Sequence, residues 1–325
     1  MKNVPQDLLE FIKTGNKFII AGHKDPDGDC VGSQLALVSV LKRMGKEAIP
    51  CSAGPFKRTE VKPYEKFFPP VPNELRKMQV IITDCSSSER TGTLGPLLKG
   101  LPTALVDHHE RGEYTEKPNP FPAYIDDKAH SCTILILNLI RALGLEPSRE
   151  EAELLLFGLC TDTGFFRHAD SEDAETFDAA AFLIRAGANP KETFDAIHGG
   201  KNLESRIFLG HILSRMESHF EGRLILSTEE YEETQRFGHE GRDSDTLYQL
   251  IQSIAGVEAI VIIRQENPDS CTVGFRSRDQ VDVALVAQSL GGGGHKNAAG
   301  AAVAGTIPEL RIKILEAFQN IFLPC

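Results

Sequence analysis

The sequence has no apolar run of membrane-spanning length, and its first residues are not a signal segment. Residues 1–17 carry acids and a proline where a basic patch and an apolar core would be needed. A soluble, cytoplasmic protein is expected. Paired cysteines are also missing: Cys30, Cys51, Cys85, Cys132, Cys160, Cys271 and Cys325 are scattered singly, which excludes a disulfide framework or a zinc knuckle and fits a reducing compartment. Positive charge is scarce, with 35 Lys and Arg against 46 Asp and Glu and a formal net charge of -11. A protein that grips long duplex DNA through its phosphates needs the opposite balance. No internal repeat or low-complexity segment occurs. What remains is a chain of 325 residues with 41% hydrophobic content, long enough for two domains with separate cores.

The chemistry concentrates first in Phe18-Ile19-Ile20-Ala21-Gly22-His23-Lys24-Asp25-Pro26-Asp27-Gly28-Asp29-Cys30-Val31-Gly32-Ser33. An apolar run gives way to one imidazole and three carboxylates, and residues 34–44 then have helical spacing. The pattern predicts a strand, a charged loop and a helix, with Pro26 and Gly28 keeping regular helix out of the loop. Carboxylates this crowded repel one another unless a cation lies between them. Hard oxygens mixed with imidazole suit manganese or magnesium better than structural zinc. A solvated acidic turn ahead of a helix is the ordinary alternative for this stretch alone.

Further along, residues 79–84 and 103–109 repeat the design: apolar runs that end in Asp84 and in Asp107-His108-His109. Helices are expected over residues 6–13, 131–143, 149–159 and 172–186, the last capped by Ser171, and a short strand over 47–52. Gly164 would stop the third of these helices and leave Asp162 at its end. In a parallel sheet of strand, helix, strand units the strand carboxyl ends share one edge, so these side chains would converge there. The pattern from 190 to 215 is helical and charged. The second half restarts with strands over 222–227, 258–264 and 271–276, the last two a hairpin around Asn267-Pro268-Asp269, and helices over 245–255, 281–290 and 308–322. Gly291-Gly292-Gly293-Gly294-His295-Lys296 reads as a phosphate cradle or, equally, as a flexible turn. Arg276 nearby adds a fixed positive charge suited to phosphate, although a solvated strand end is as ordinary.

Gathered at one rim, His23, Asp27, Asp29, Asp84, His108 and Asp162 would make two compact metal sites if one carboxylate bridges. Two divalent ions balance Asp27, Asp29, Asp84 and Asp162 charge for charge. Ions about 4 Å apart activate a bridging water and clamp an in-line phosphoryl displacement. The motifs His23-Lys24-Asp25-Pro26-Asp27-Gly28-Asp29, Asp84, Asp107-His108-His109 and Thr161-Asp162-Thr163-Gly164, closed by Gly292-Gly293-Gly294-His295, resemble the DHH/DHHA1 phosphoesterase superfamily. In size the chain is similar to its nano-RNase/pAp-phosphatase group and the cyclic-dinucleotide phosphodiesterase relatives.

That resemblance implies an α/β fold: an N-terminal parallel-sheet DHH domain with flanking helices over 1–190, a helical linker over 191–215, and a smaller C-terminal α/β DHHA1 domain over 216–325. It implies two divalent ions, manganese above others, one on His23, Asp27 and Asp84 and one on Asp29, Asp84, His108 and Asp162. His109 would face the scissile phosphate and Asp107 would orient an imidazole. Arg276, Ser277, Gly293, Gly294 and His295 would bind the nucleotide. Asp25 stands where the family often has asparagine, and Arg90 follows Asp84 closely enough to reach the crevice, unless it makes a surface salt bridge. The expected substrates are short oligoribonucleotides, linear or cyclic dinucleotides, or pAp, with no long duplex DNA and no membrane partner; a homodimer is left open. The competing functions are an inorganic pyrophosphatase or exopolyphosphatase and a nucleotide-binding sensor without turnover.

Overall fold

The computed structural model describes residues 2–72, 75, 77–109, 122–278 and 280–323, so Cys325 lies outside the described residues. It divides into two compact units, Met1–Gly200 and Lys201–Cys325.

The first unit runs α1 (Gln6–Thr14), β1 (Lys17–Ala21), α2 (Gly28–Arg43), β2 (Glu47–Cys51), β3 (Gln79–Thr83), α3 (Gly95–Leu98), β4 (Thr103–Asp107), β5 (Ala123–Ile125), α4 (Cys132–Ala142), α5 (Arg149–Asp162), α6 (Ala174–Arg185) and α7 (Pro190–His198). Its five strands form a wholly parallel sheet in the order β2-β1-β3-β4-β5. The strands read as unbroken apolar runs because both faces are covered. Phe18, Ile20, Ile81 and Val106 join the core with α2, α4 and α5, while Ile19, Val80, Ile82 and Leu105 pack with Leu94 and Leu98 on the opposite face. Strand β5 has only three residues, too few for its period to show in the sequence.

Two local expectations are corrected. Helix α2 begins at Gly28, six residues earlier than its apolar period suggests. The Asp27 carboxylate accepts a hydrogen bond from the Cys30 amide at 3.1 Å and caps the helix, so Gly28 and Asp29 lie in its first turn rather than in a loop. Helix α6 begins after Asp173, not after Ser171, and the Asp173 carboxylate instead accepts from the Asp170 amide and contacts His130.

Helices α2 and α5 cross closely, and small residues make this possible. A Cβ on Gly32 would stand 2.5 Å from the Leu154 carbonyl oxygen, one on Gly158 would stand 3.0 Å from Asp29 Cα, and one on Gly28 would meet Thr161 at 2.4 Å. The crossing brings the start of α2 to the end of α5, and so brings Asp29 to Asp162. Gly32→Ala sets a methyl against backbone that cannot swing aside. It is expected to destabilise the fold by about 1–3 kcal/mol, the cost of overpacking, and to lower the thermal midpoint accordingly. A midpoint within a degree of the parent would show that the crossing tolerates separation.

The second unit runs α8 (Leu203–Ser214), β6 (Glu217–His219), β7 (Leu224–Glu229), α9 (Tyr231–Phe237), α10 (Ser244–Gln252), β8 (Ala259–Asn267), β9 (Ser270–Ser277), α11 (Val283–Ser289), β10 (Gly293–His295), β11 (Ala298–Ala304) and α12 (Ile307–Phe322). Its mixed sheet has the order β10-β11-β9-β8-β7-β6, with β7 and β8 parallel and the other pairs antiparallel. Val261, Ile263, Val273 and Phe275 face α11 and α12, while Ile225, Ile260 and Ile262 pack with side chains of α8 and α10. Of the stretch 191–215, read as a helical linker, most of α7 falls in the first unit and α8 in the second, where Phe208, Leu209 and Ile212 are buried. Among the described residues no helix is long and apolar enough to cross a membrane.

Candidate metal centre

The carboxyl ends of β1, β3 and β4 deliver His23, Asp84 and the pair His108-His109 to one edge of the parallel sheet. The start of α2 adds Asp27 and Asp29, and the end of α5 adds Asp162. Asp84 sits at the middle. Its backbone is in the left-handed region, φ 59°, which aspartate tolerates better than most residues, and its amide donates to the Val106 carbonyl at 3.0 Å. That turn folds the side chain into the edge, where it is 2% exposed.

Both flanking imidazoles face this carboxylate. His23 Nδ1 donates to the Lys24 carbonyl at 2.8 Å and His108 Nδ1 to the Ala129 carbonyl at 3.1 Å, which leaves each Nε2 aimed into the cluster. His23 Nε2 lies 3.3 Å from Asp84 Oδ2 and 3.6 Å from Asp27 Oδ1. His108 Nε2 lies 3.3 Å from Asp84 Oδ1, 3.1 Å from Asp162 Oδ2 and 3.7 Å from Asp29 Oδ2. Two ligands bound at right angles to one small divalent ion stand about 3 Å apart, so these spacings are those of neighbouring ligands. Asp84 Oδ1 and Asp107 Oδ2 are buried with no hydrogen-bond partner. An orphaned carboxylate oxygen amid imidazole nitrogens and further carboxylates is what a cation would satisfy.

The electrostatics agree. Burial would lower the His108 imidazole, but Asp162 and Asp84 outweigh it and push the ring up to about 11; burial also opposes His23, which Asp27 and Asp84 raise far above the ordinary range. Burial, then Asp84 and Asp162, pushes Asp29 well up, and burial with Asp84 raises Asp162. Burial would raise Asp27 too, yet its contact with His23 brings it down to about 2. With no ion between them, the carboxylates favour the protonated form of both imidazoles. An ion that binds Nε2 needs a neutral ring there, so it must displace those protons. Manganese added to weakly buffered protein near pH 7 is therefore expected to release protons, and its affinity to fall as pH falls; pH-independent uptake without proton release would contradict direct imidazole ligation.

Asp29 has a second task. Its Oδ1 accepts from the Thr133 amide at 2.9 Å and its Oδ2 from the Cys132 amide at 2.5 Å, so it holds the start of α4 while its Oδ2 remains near His108. The pattern of α4 shows the Ser131 cap but not this contact, which spans a hundred residues of chain. Helix α5 ends where the chain winds through three left-handed residues, Gly164, Phe165 and Phe166, at φ 56°, 57° and 68°. Thr163 Oγ1 donates to the Leu159 carbonyl at 2.7 Å and accepts the Phe166 amide at 3.1 Å, which fixes the turn just beyond Asp162.

His109 Nδ1 donates to the buried Asp107 Oδ1 at 2.7 Å and lies 3.8 Å from Asp84 Oδ1, and the His109 side chain is 37% exposed. Asp25 turns away from the cluster, paired with Lys57 at 2.8 Å, and the Arg90 carbonyl accepts the Lys24 amide at 2.9 Å.

In the second unit, the residues expected to bind nucleotide fall together in one region of the sheet. Arg276 pairs with Ala298, which pairs with His295, so all three side chains share a face, with His295 about 10 Å from Arg276 two strands away. The Arg276 guanidinium lies 4.7 Å from the ring centroid of Tyr248, a partner on α10 for which the sequence holds no signal. The glycine run is ordered strand at its end: a Cβ on Gly294, φ 147°, would stand 2.5 Å from the Ala298 carbonyl oxygen, so close pairing of β10 with β11 requires glycine there. Gly293 has open space above it. Ser277 is buried, and its hydroxyl donates to the Val281 carbonyl at 2.7 Å, so it ties the end of β9 to the following loop.

Comparison with known proteins agrees with this architecture. Residues 17–159 match the DHH family N-terminal domain and residues 228–322 the DHHA1 domain. The bifunctional oligoribonuclease and PAP phosphatase NrnA of Thermus thermophilus is 32% identical over 303 residues, covering 93% of this chain and 89% of that protein. The cyclic-di-AMP phosphodiesterase PdeA of Listeria monocytogenes is 27% identical over 97% of this chain, which spans 49% of PdeA. The crystal structure of an exopolyphosphatase-related protein from Bacteroides fragilis superposes with a TM-score of 0.80 at 21% identity, over 99% of both chains, a likeness of fold. The parallel sheet with its rim of aspartates and histidines, the matched domains in their order and the NrnA relative together show that this chain belongs to the DHH/DHHA1 phosphoesterase family.

Proposed function

We propose that this chain is a manganese-dependent phosphoesterase that hydrolyses short oligoribonucleotides, linear or cyclic dinucleotides, or pAp through a two-metal centre. The observation that carries this reading is Asp84, whose two oxygens each stand 3.3 Å from the Nε2 of a different histidine. His23, Asp27 and Asp84 would hold one ion, and Asp84, Asp29, His108 and Asp162 would hold the other. The donors are oxygen and imidazole, the mix that manganese takes. Two such ions supply a water of lowered pKa and positive charge for the phosphate oxygens.

The chain's own groups then divide the work. A water that gives one proton to solvent forms a bond from its oxygen to phosphorus as the P–O bond to the leaving ribose oxygen breaks, and that leaving oxygen takes up a proton. His109, oriented by Asp107 through Nδ1, presents Nε2 as a hydrogen-bond donor to the phosphate or as the proton source. Arg276, with its two-pronged guanidinium, and the open backbone at Gly293 beside His295 bind a phosphate or base of the substrate. Ser277 acts there by holding the strand end.

The names of the relatives support nucleotides over inorganic pyrophosphate: NrnA, matched along most of its length, is an oligoribonuclease and PAP phosphatase, and PdeA is a cyclic-di-AMP phosphodiesterase. The net charge of -11 favours short substrates, because a long strand needs a basic track. The test offers the manganese-loaded chain pApA, cyclic di-AMP, pAp, pyrophosphate and single-stranded DNA. Turnover of one of the first three above pyrophosphate is expected. Preference for pyrophosphate would support the pyrophosphatase reading, and turnover of none would support a silent sensor. His295→Ala is expected to raise KM with kcat little changed; an equal fall in kcat and kcat/KM would place His295 in the chemical step.

A further inference from the structure

Among the described residues, Cys30 places a thiol among the proposed ion ligands. Its Sγ, a ring nitrogen of His23 and a carboxylate oxygen of Asp84 lie within 4.8 Å of one another, and both Cys30 and Asp84 are buried. The close packing is built in at two points. A Cβ on Gly22 would stand 2.2 Å from Cys30 Sγ, so only glycine at the end of β1 leaves room for the sulfur. Gln34 is fixed from the other side: its Nε2 donates to the carbonyls of Ile20 and Cys51, both at 2.9 Å, which turns Oε1 toward the thiol at 3.6 Å. That thiol contact is long and weak, and little is lost when it is given up. Asp84 meets this pair through Oδ2, 3.3 Å from His23 Nε2.

The His23 and Asp84 pair is thus flanked by a hard donor, Asp27 Oδ1 at 3.6 Å from His23 Nε2, and by a soft one, Cys30 Sγ. We propose that Cys30 serves with His23 and Asp84 as a thiolate ligand for soft divalent cations of the Zn2+ and Cd2+ class, giving this half of the centre a second binding mode distinct from the all-oxygen-and-nitrogen mode of Mn2+. In that mode the S–H bond breaks, the sulfur–metal bond forms and the proton leaves to water. Soft thiolate selects such ions, whereas Mn2+ prefers carboxylate. The inference rests on the metal-centre reading above, and its consequence is that thiophilic ions displace Mn2+ from one position.

The full chain, stripped of metal, is titrated with Co2+ and followed by absorption. A sulfur-to-cobalt charge-transfer band in the near ultraviolet is expected. It should be lost in Cys30→Ser and kept in Cys132→Ser, a neighbouring buried thiol that donates to the Val106 carbonyl at 3.3 Å. Cd2+ should displace Mn2+ in the parent at concentrations roughly tenfold or more below those needed for Cys30→Ser. If the serine variant does not fold, the resonance of bound 113Cd in the parent decides alone, since one thiolate ligand shifts it strongly downfield of an oxygen and nitrogen site. Co2+ and Cd2+ binding without any sulfur signature overturns the proposal and leaves the metal centre standing. No binding of Mn2+, Co2+ or Cd2+ overturns both.

Discussion

Asp84→Asn is expected to lower hydrolysis by at least roughly a thousandfold, because the several kcal/mol of charge stabilisation that an ion supplies at a phosphoryl centre correspond to that factor. Asparagine tolerates the left-handed backbone at position 84 and keeps the side-chain shape, so the loss isolates the second anionic oxygen. One bound Mn2+ per chain, or both, should be lost with it. In chelator the change acts on the fold in opposite directions: it removes a charge that helps push up the buried Asp29 and Asp162 carboxyls, and it removes the partner that raises the His23 and His108 imidazoles. The variant is therefore expected to keep a cooperative thermal transition; loss of both activity and fold would make Asp84 a structural residue.

His109→Asn is expected to lower kcat by about a hundred- to ten-thousandfold, the range for a positioned general acid, with KM and Mn2+ stoichiometry near those of the parent. The geometry separates this histidine from its neighbour. His108 directs Nε2 at three carboxylates, whereas His109 spends Nδ1 on Asp107 and has 37% of its side chain exposed. Asp107→Asn should weaken turnover by roughly ten- to a hundredfold, as the loss of a group that orients a histidine does, and should distort the pH profile of kcat. Unchanged kcat in His109→Asn would remove it from the chemical step, and a change in ion binding alone would make it a ligand.

The fold was legible where apolar runs were long enough to carry a period. Strands β1, β3 and β4 stood out because a parallel sheet covered on both faces demands continuous Val, Ile and Leu, and each ended in a side chain fit for a metal. Helices α4 and α5 began within a residue of the starts their apolar periods suggest, and the structure shows Ser131 and Ser148 capping them. Less visible were features settled by contacts distant in sequence. The start of α2 depends on the Asp27 cap, which begins the helix at Gly28 where Pro26 and Gly28 suggest an irregular loop. The hold of Asp29 on the amides of α4, the α2 and α5 crossing through Gly28, Gly32 and Gly158, and the Tyr248 partner of Arg276 each join segments that no local pattern connects. Ser277 shows the reverse: the family resemblance implied a nucleotide contact there, and in the structure its hydroxyl donates to the Val281 carbonyl.

The most direct measurement is anomalous diffraction at the manganese edge from crystals of the full chain grown with Mn2+. Two peaks about 4 Å apart, on either side of Asp84 and each within bonding distance of one of His23 and His108, are predicted. A single peak, or peaks remote from Asp84, would contradict a shared two-ion centre.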